Sequence, residues 1–262
     1  MKQRIVTGVV AGLAFFVLLY LGSYWFAGLI LLLSVIGFDE FLRMNHLKES
    51  KAIQVIGFVG VVLLTIQWKG LAISPGFLVW GLMFLLMAVT VISKNKVTVD
   101  HIAMAFLGIV YVGIGFHYML ETRWIAENGI YWTLLVFFCI WATDSGAYFT
   151  GSMIGKTPLW PTISPKKSVE GAIGGTVLSI VVALIFAYVR PELLSYSRAI
   201  SIGLLIAVVG QMGDLIQSAY KRVKGIKDTG TLLPGHGGVL DRTDSWLIVF
   251  PFLHMLSLLP HT

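Results

Sequence analysis

Cysteine is nearly absent. Cys139 is the single one in 262 residues, which excludes an intramolecular disulfide and any cysteine-based metal site. Charge is scarce as well: Lys, Arg, Asp and Glu make up 12% of the chain, against roughly 25% in an ordinary soluble domain. There is no Cys/His set for zinc and no serine nucleophile with a recognisable base, so metalloprotease and acyl-transfer chemistry have no support. Internal repeats, low-complexity tracts and a dividing linker are lacking too. What is present is apolar, with 57% hydrophobic residues and a mean hydropathy of +0.86. A soluble protein of this size has no interior large enough for that surface, so the bilayer is its solvent. The net charge of +6 does not point to nucleic acid, because the cations lie in short loops between apolar runs, where membrane topology explains many of them.

The apolar runs predict helices at about Ile5–Leu21, Tyr24–Phe38, Ile53–Trp68, Pro75–Ile92, Ile102–Leu120, Tyr131–Thr150, Gly171–Val189, Ile200–Gln217 and Ser245–Leu259. The expectation is an all-α polytopic membrane protein with about nine transmembrane helices, although the second run is short of the roughly 17 residues that spanning needs, and the third and last are marginal. Residues 1–262 read as one integral membrane domain, with N-terminal helices over 1–130 and catalytic helices and loops over 131–262. Met1-Lys-Gln-Arg4 before Ile5–Leu21 has the form of a signal peptide, but no small-residue cleavage pattern follows, so it is read as a helix that stays in place. With nine helices and a cytoplasmic N-terminus, fifteen cations fall inside and four outside (Lys69, Arg123, Arg190, Arg198). That is a strong positive-inside bias. Without the cations from Lys156 onward it is still seven against two. It puts both rich polar segments, Gly151–Glu170 and Ser218–Asp244, on the cytoplasmic side of the cell membrane. Gly8 and Gly12, and Gly171 and Gly175, have the spacing of close helix contacts.

Two carboxylates fall in apolar runs: Asp144, in Ile140-Trp-Ala-Thr-Asp-Ser-Gly146, and Asp214, in Gly210-Gln-Met-Gly-Asp-Leu-Ile216. At membrane depth a carboxylate costs several kcal/mol unless paired or wet, so each is a functional candidate, with a structural ion pair as the plain alternative. If the helix runs on to about Val223, Asp214, Ser218 and Lys221 share one face. The loop Pro234-Gly-His-Gly-Gly238 carries three glycines in five residues, which lets backbone amides approach an anion. Lys227 and Arg242 flank it. Asp241 and Asp244 stand before the last helix. One of them, Asp244, has the plain reading of an N-cap. Hard oxygen ligands on two segments suit Mg²⁺, which takes one or two carboxylates plus substrate phosphates. In Ser164-Pro-Lys166-Lys167-Ser168-Val-Glu170-Gly171, two ammonium groups meet a helix N-terminus. That is a plausible phosphate site, or a topology signal alone. A lone histidine such as His236 is more often a hydrogen-bonding residue than a catalyst.

From Ser218 to Asp244 the chain resembles the signature of the bacterial-type phosphatidate cytidylyltransferases, the CDP-diacylglycerol synthases. The matching residues are Ser218, Lys221-Arg222, Lys227-Asp228, Gly230, Pro234, His236-Gly-Gly238, Asp241-Arg242 and Asp244, at the family's spacing over 27 residues. Asp144-Ser145, Ser164-Pro-Lys-Lys with Glu170-Gly171, and Gly213-Asp214 match as well. Two positions depart: Tyr220 replaces an aliphatic residue, and Gln217 stands where Glu is expected. The resemblance implies that CTP and phosphatidic acid give CDP-diacylglycerol and pyrophosphate, with Mg²⁺ and with a second, monovalent cation as a further candidate. On that reading Asp214 and Asp241 are the principal metal ligands, with Asp144 as a third candidate. Asp214, Lys221 and Asp241 are catalytic. Lys166, Lys167, Ser168, Ser218, Arg222, Lys227, Asp228, His236, Gly237, Gly238, Arg242 and Asp244 bind substrate, the loop at His236 closing on the nucleotide. The expected partners are CTP, phosphatidic acid, membrane lipid and a second copy in a homodimer, with no nucleic acid.

Three other readings remain open. A CTP-dependent lipid-alcohol kinase would release CDP, not pyrophosphate. A transporter would spread polar residues through mid-membrane, whereas here they cluster at helix ends and in one long loop. A CDP-alcohol phosphotransferase would need a dense array of helical Asp residues, which is missing.

Overall fold

In a computed structural model, the structure describes residues 2–66, 74–231 and 237–260, with side chains from Gly8 onward. The fold is all-α apart from one small hairpin. Helices α1 (Lys2–Leu21), α2 (Ser23–Met44), α3 (Lys51–Thr65), α4 (Pro75–Ile92) and α5 (Val99–Trp124) come first. Then follow α6 (Gly129–Ile154), strands β1 (Pro158–Trp160) and β2 (Ser164–Ser168), α7 (Val169–Val189), α8 (Tyr196–Val223), the one-turn α9 (Leu240–Thr243) and α10 (Trp246–Met255). Among the described residues six helices are long and apolar enough to cross a membrane: α2, α4, α5, α6, α7 and α8. This is a membrane protein.

The second apolar run is short only when closed at Phe38, its last uncharged residue before Asp39. Helix α2 continues through Asp39, Glu40 and Arg43 to Met44, a 22-residue helix. Asp39 tolerates that position by pairing with Arg43 and Lys48, each at 2.5 Å. Serine caps fix other helix starts: Ser50, Ser74, Ser168 and Ser195 each accept a hydrogen bond from the backbone amide three residues on. The hairpin had no sequence signal. β2 reads Ser-Pro-Lys-Lys-Ser, without apolar alternation.

The chain forms two compact units. The first comprises Met1–Leu120 with Asp228–Arg242, the second Glu121–Lys227 with Thr243–Thr262. In the first, α2 is tightly held: the Phe38 ring lies where a Cβ on Gly57 would be, and Phe41 does the same at Gly108. In the second, small residues bring backbones together. A Cβ on Gly175 would lie 2.5 Å from the Thr143 carbonyl oxygen, and one on Gly171 2.8 Å from that of Ala147. Gly171 and Gly175 are thus helix-packing residues as the spacing predicts. Gly12 is not, since a Cβ there meets nothing within 4 Å. Cys139 is buried and free.

Candidate functional site

In the second unit, α8 runs past Gln217, where the apolar run closes, and ends at Val223, so it carries Asp214, Ser218 and Lys221 down one face. The Ser218 hydroxyl donates to Asp214 Oδ1 at 3.2 Å, as the four-residue spacing requires. On the other oxygen, Lys167 Nζ stands 2.5 Å from Asp214 Oδ2, with both side chains about a third exposed (28% and 35%). This pair is what the adjacent lysines of β2 supply. Successive residues of a strand point to opposite faces, so Lys167 turns to Asp214 while its neighbour Lys166 is exposed. Ser168 caps α7 through a hydrogen bond from the Gly171 amide, 3.1 Å. Arg222 Nε donates to the Ile163 carbonyl, 3.2 Å, and pins the hairpin turn. Glu170 accepts from the Lys156 and Thr157 amides and the Thr157 hydroxyl, closing the start of the hairpin segment onto α7. Lys227 is exposed.

Asp244 adds a carboxylate to this unit. It does not cap α10: Ser245 precedes that helix, and Asp244 Oδ1 accepts from the neighbouring Ser245 amide, at 2.8 Å. Burial, and next the charge of Asp214, push the Asp244 carboxyl up to about 7. Asp144 pushes the same way, while the Ser245 amide and Lys221 pull against it. Asp144, Asp214 and Asp244 therefore form one region of surplus negative charge, tempered by Lys167 and Lys221. A hard cation fits such a region, since its charge removes the mutual repulsion. The fit is that of a metal completed by its substrate. Among the described residues no three carboxylates or imidazoles stand close enough to hold an ion alone, and Mg²⁺ ordinarily adds substrate phosphates to one or two carboxylates.

The first unit holds Asp228, Gly237, Gly238, Asp241 and Arg242. Asp241 Oδ2 accepts from the Thr229 amide (2.8 Å), the Thr229 hydroxyl (3.1 Å) and the Gly238 amide (2.9 Å). Gly237 has φ +84°, and a Cβ there would stand 2.7 Å from Asp241 Oδ2 and 3.4 Å from Asp228 Oδ1, so only glycine suits it. Arg242 is exposed. His236, with Pro234 and Gly235, lies outside the described residues.

One residue of this unit was not foreseen. Glu40 of α2 is 5% exposed. Its Oε1 accepts from the Val239 amide at 2.9 Å and its Oε2 from the Leu240 amide at 3.0 Å; Oε2 also shares the single Thr229 hydroxyl proton with Asp241 Oδ2, each oxygen 3.1 Å from that hydroxyl. The carboxylate occupies the space that Cβ atoms on Gly230 and Gly238 would need. The only signal was an acidic pair closing an apolar run, in Gly37-Phe-Asp-Glu-Phe41.

Comparison with known proteins places these features in a context. The profile of the cytidylyltransferase family matches residues 2–259. The phosphatidate cytidylyltransferase of Bacillus subtilis (strain 168) is 41% identical, over 98% of this chain and 97% of that protein. Those of Staphylococcus saprophyticus and Staphylococcus aureus (strain COL) are 37% and 35% identical, each over 98% of both chains.

Proposed function

The chain belongs to the cytidylyltransferase family, and from that premise we propose that it transfers the cytidylyl group of CTP to phosphatidic acid, forming CDP-diacylglycerol and pyrophosphate for phospholipid synthesis. The observation that carries this reading is the Lys167–Asp214 pair, with Ser218 on the second oxygen. A carboxylate and an ammonium meeting on the polar part of a membrane helix are what a metal and a phosphate need side by side.

A phosphate oxygen of phosphatidic acid forms a bond to the α-phosphorus of CTP, and the bond from that phosphorus to the α,β-bridging oxygen breaks. The electron pair leaves with pyrophosphate. The nucleophile is already an anion, so no strong general base is required. Catalysis is positioning and charge neutralisation. Bound Mg²⁺ would neutralise phosphate charge and polarise the α-phosphoryl group. Asp214 and Asp241 are its principal proposed ligands, with Asp144 as a further candidate and a monovalent second cation as an open addition. Lys167 exchanges Asp214 for phosphate when substrate arrives. Lys221, Arg222, Lys227 and Arg242 neutralise phosphate, while Lys166, Ser168, Ser218, Asp228, Asp244 and the loop of His236, Gly237 and Gly238 complete substrate binding. The cation bias of the loops supports an active site facing the cytoplasm of the cell membrane. Assembly as a homodimer belongs to the same proposal.

Purified protein with labelled CTP and phosphatidic acid tests the reaction. Release of pyrophosphate with formation of CDP-diacylglycerol is expected; release of CDP would identify a lipid kinase instead. Near-normal synthesis by Asp214→Asn or Asp241→Asn would overturn the metal assignment.

A further inference from the structure

We propose that Glu40 is a positioning residue for the cytidylyl transfer, acting through the segment that carries Asp241; its catalytic half rests on the function proposed above. Glu40 lies far from that segment in sequence, its partners being 189, 199 and 200 residues away. It joins the two described ends of the polar loop. One end is Thr229–Gly230, the other Gly237–Asp241. Thr229 bridges to both acids, with its hydroxyl 3.1 Å from Glu40 Oε2 and 3.1 Å from Asp241 Oδ2. Gly37, one turn before Glu40, receives Leu240, whose Cδ2 would stand 3.2 Å from a Cβ there. The anchor is rigid because Phe38 and Phe41 lock α2 against its neighbours at Gly57 and Gly108.

The chemistry of the contact makes the charge state matter. Both carboxylate oxygens face backbone N–H donors, and a carboxylate accepts at each. A glutamine has the same size but one NH₂ group. In either orientation that NH₂ is set against the Val239 or the Leu240 N–H. Glu40→Gln therefore leaves the packing of α2 intact and releases the ends of the loop. Asp241 then loses its fixed aim. A carboxylate displaced by about 1 Å suffices for a hundredfold loss of rate.

The test combines exchange and kinetics on the full-length detergent-solubilised protein. In Glu40→Gln, amide hydrogen exchange at residues 229–231 and 237–241 should be about tenfold faster or more. Exchange in α6, α7 and α8 should be unchanged. The kcat should fall about a hundredfold, with the KM for phosphatidic acid retained. Unchanged exchange in the loop ends, or a kcat equal to wild type, overturns the proposal. So does loss of protection throughout all helices, which would make Glu40 a structural residue only. If Glu40→Gln is not recovered folded, Thr229→Val must speed exchange at Gly238–Leu240, and its failure to do so overturns the proposal equally. The exchange measurement does not depend on the reaction. A wild-type chain that makes no CDP-diacylglycerol removes the functional reading, and the loop-end exchange still decides the anchoring.

Discussion

Asp214 and Asp241 lie 27 positions apart and are held in opposite ways. Asp214 meets side chains: an ammonium on one oxygen and a hydroxyl on the other, with about a third of its surface open. Asp241 Oδ2 meets the backbone amides of Thr229 and Gly238, and close by Glu40 is closed in by those of Val239 and Leu240. Side-chain partners exchange on the timescale of rotamer motion, whereas amides of an ordered loop leave only if the loop opens. The Asp214 cluster is thus held by partners it can exchange, as the proposed arrival of phosphate and a cation requires. The Glu40–Asp241 pair is built to keep them, so that Asp241, a proposed metal ligand, is carried on a fixed loop. Asp214 is held as a reactant that can exchange its partners, and Asp241 is a proposed ligand presented on a fixed mount; each unit holds one of these two arrangements.

The comparison predicts that the two acids fail differently. Asp214→Asn should lower kcat/KM by about 10³, the scale of losing one electrostatic partner of a transition state, with the melting temperature nearly unchanged. Asp241→Asn should show both losses. Its rate should fall about a hundredfold, and its charge-assisted hydrogen bonds should weaken enough to lower the melting temperature by about 2–4 °C. Parallel assays and thermal unfolding on both variants check this. If Asp214→Asn unfolds as easily as Asp241→Asn, the contrast between reactant and mount is gone.

Much of this was readable in the chain. The membrane class follows from composition, and the one-face grouping of Asp214, Ser218 and Lys221 follows from helical spacing alone. Gly171 and Gly175 showed their packing role the same way. Glu40 was hidden for a physical reason. A hydropathy reading ends a helix at the first charges, yet Asp39 sits within α2 by pairing with Arg43 and Lys48. Glu40 sits there by taking amides from nearly 200 residues away, a contact that no local pattern encodes. The hairpin was hidden because Ser164–Ser168 is ordered by pairing with Pro158–Trp160, in a segment held by Arg222 at Ile163 and by Glu170 at Lys156 and Thr157, and not by its own periodicity. Lys166 and Lys167 looked equivalent until the strand separated their faces.

A third prediction probes the mount by volume. The Glu40 carboxylate fills the place of a Cβ on Gly238, so Gly238→Ala should destabilise by about 1–3 kcal/mol, the usual cost of overpacking. Gly28→Ala is the control. A Cβ there meets nothing within 4 Å, and its effect should stay within about 0.5 kcal/mol. Equal melting temperatures for the two variants would mean that the loop yields to Glu40 freely, against the rigid role assigned to it.

The smallest expected effect belongs to the reactant cluster and concerns pH. The Asp244 carboxyl, pushed up to about 7 by burial and by Asp214, holds its proton in the folded chain at pH values where an unfolded aspartate has released it. Between about pH 4 and 7 the unfolded state therefore binds fewer protons, and stability falls as pH rises, levelling off above about 7. In chelator, the melting temperature of wild type should drift downward across that window, and the drift should be reduced in Asp244→Asn. Asp214→Asn should reduce it too, because removing the neighbouring charge lowers the Asp244 carboxyl toward its ordinary value. Glu40→Gln should leave the slope unchanged, because Glu40 is not among the groups that act on Asp244. A slope that vanishes with Glu40 and persists without Asp214 would reverse the assignment of the two units, making the loop the titrating element and the Asp214 cluster the passive one.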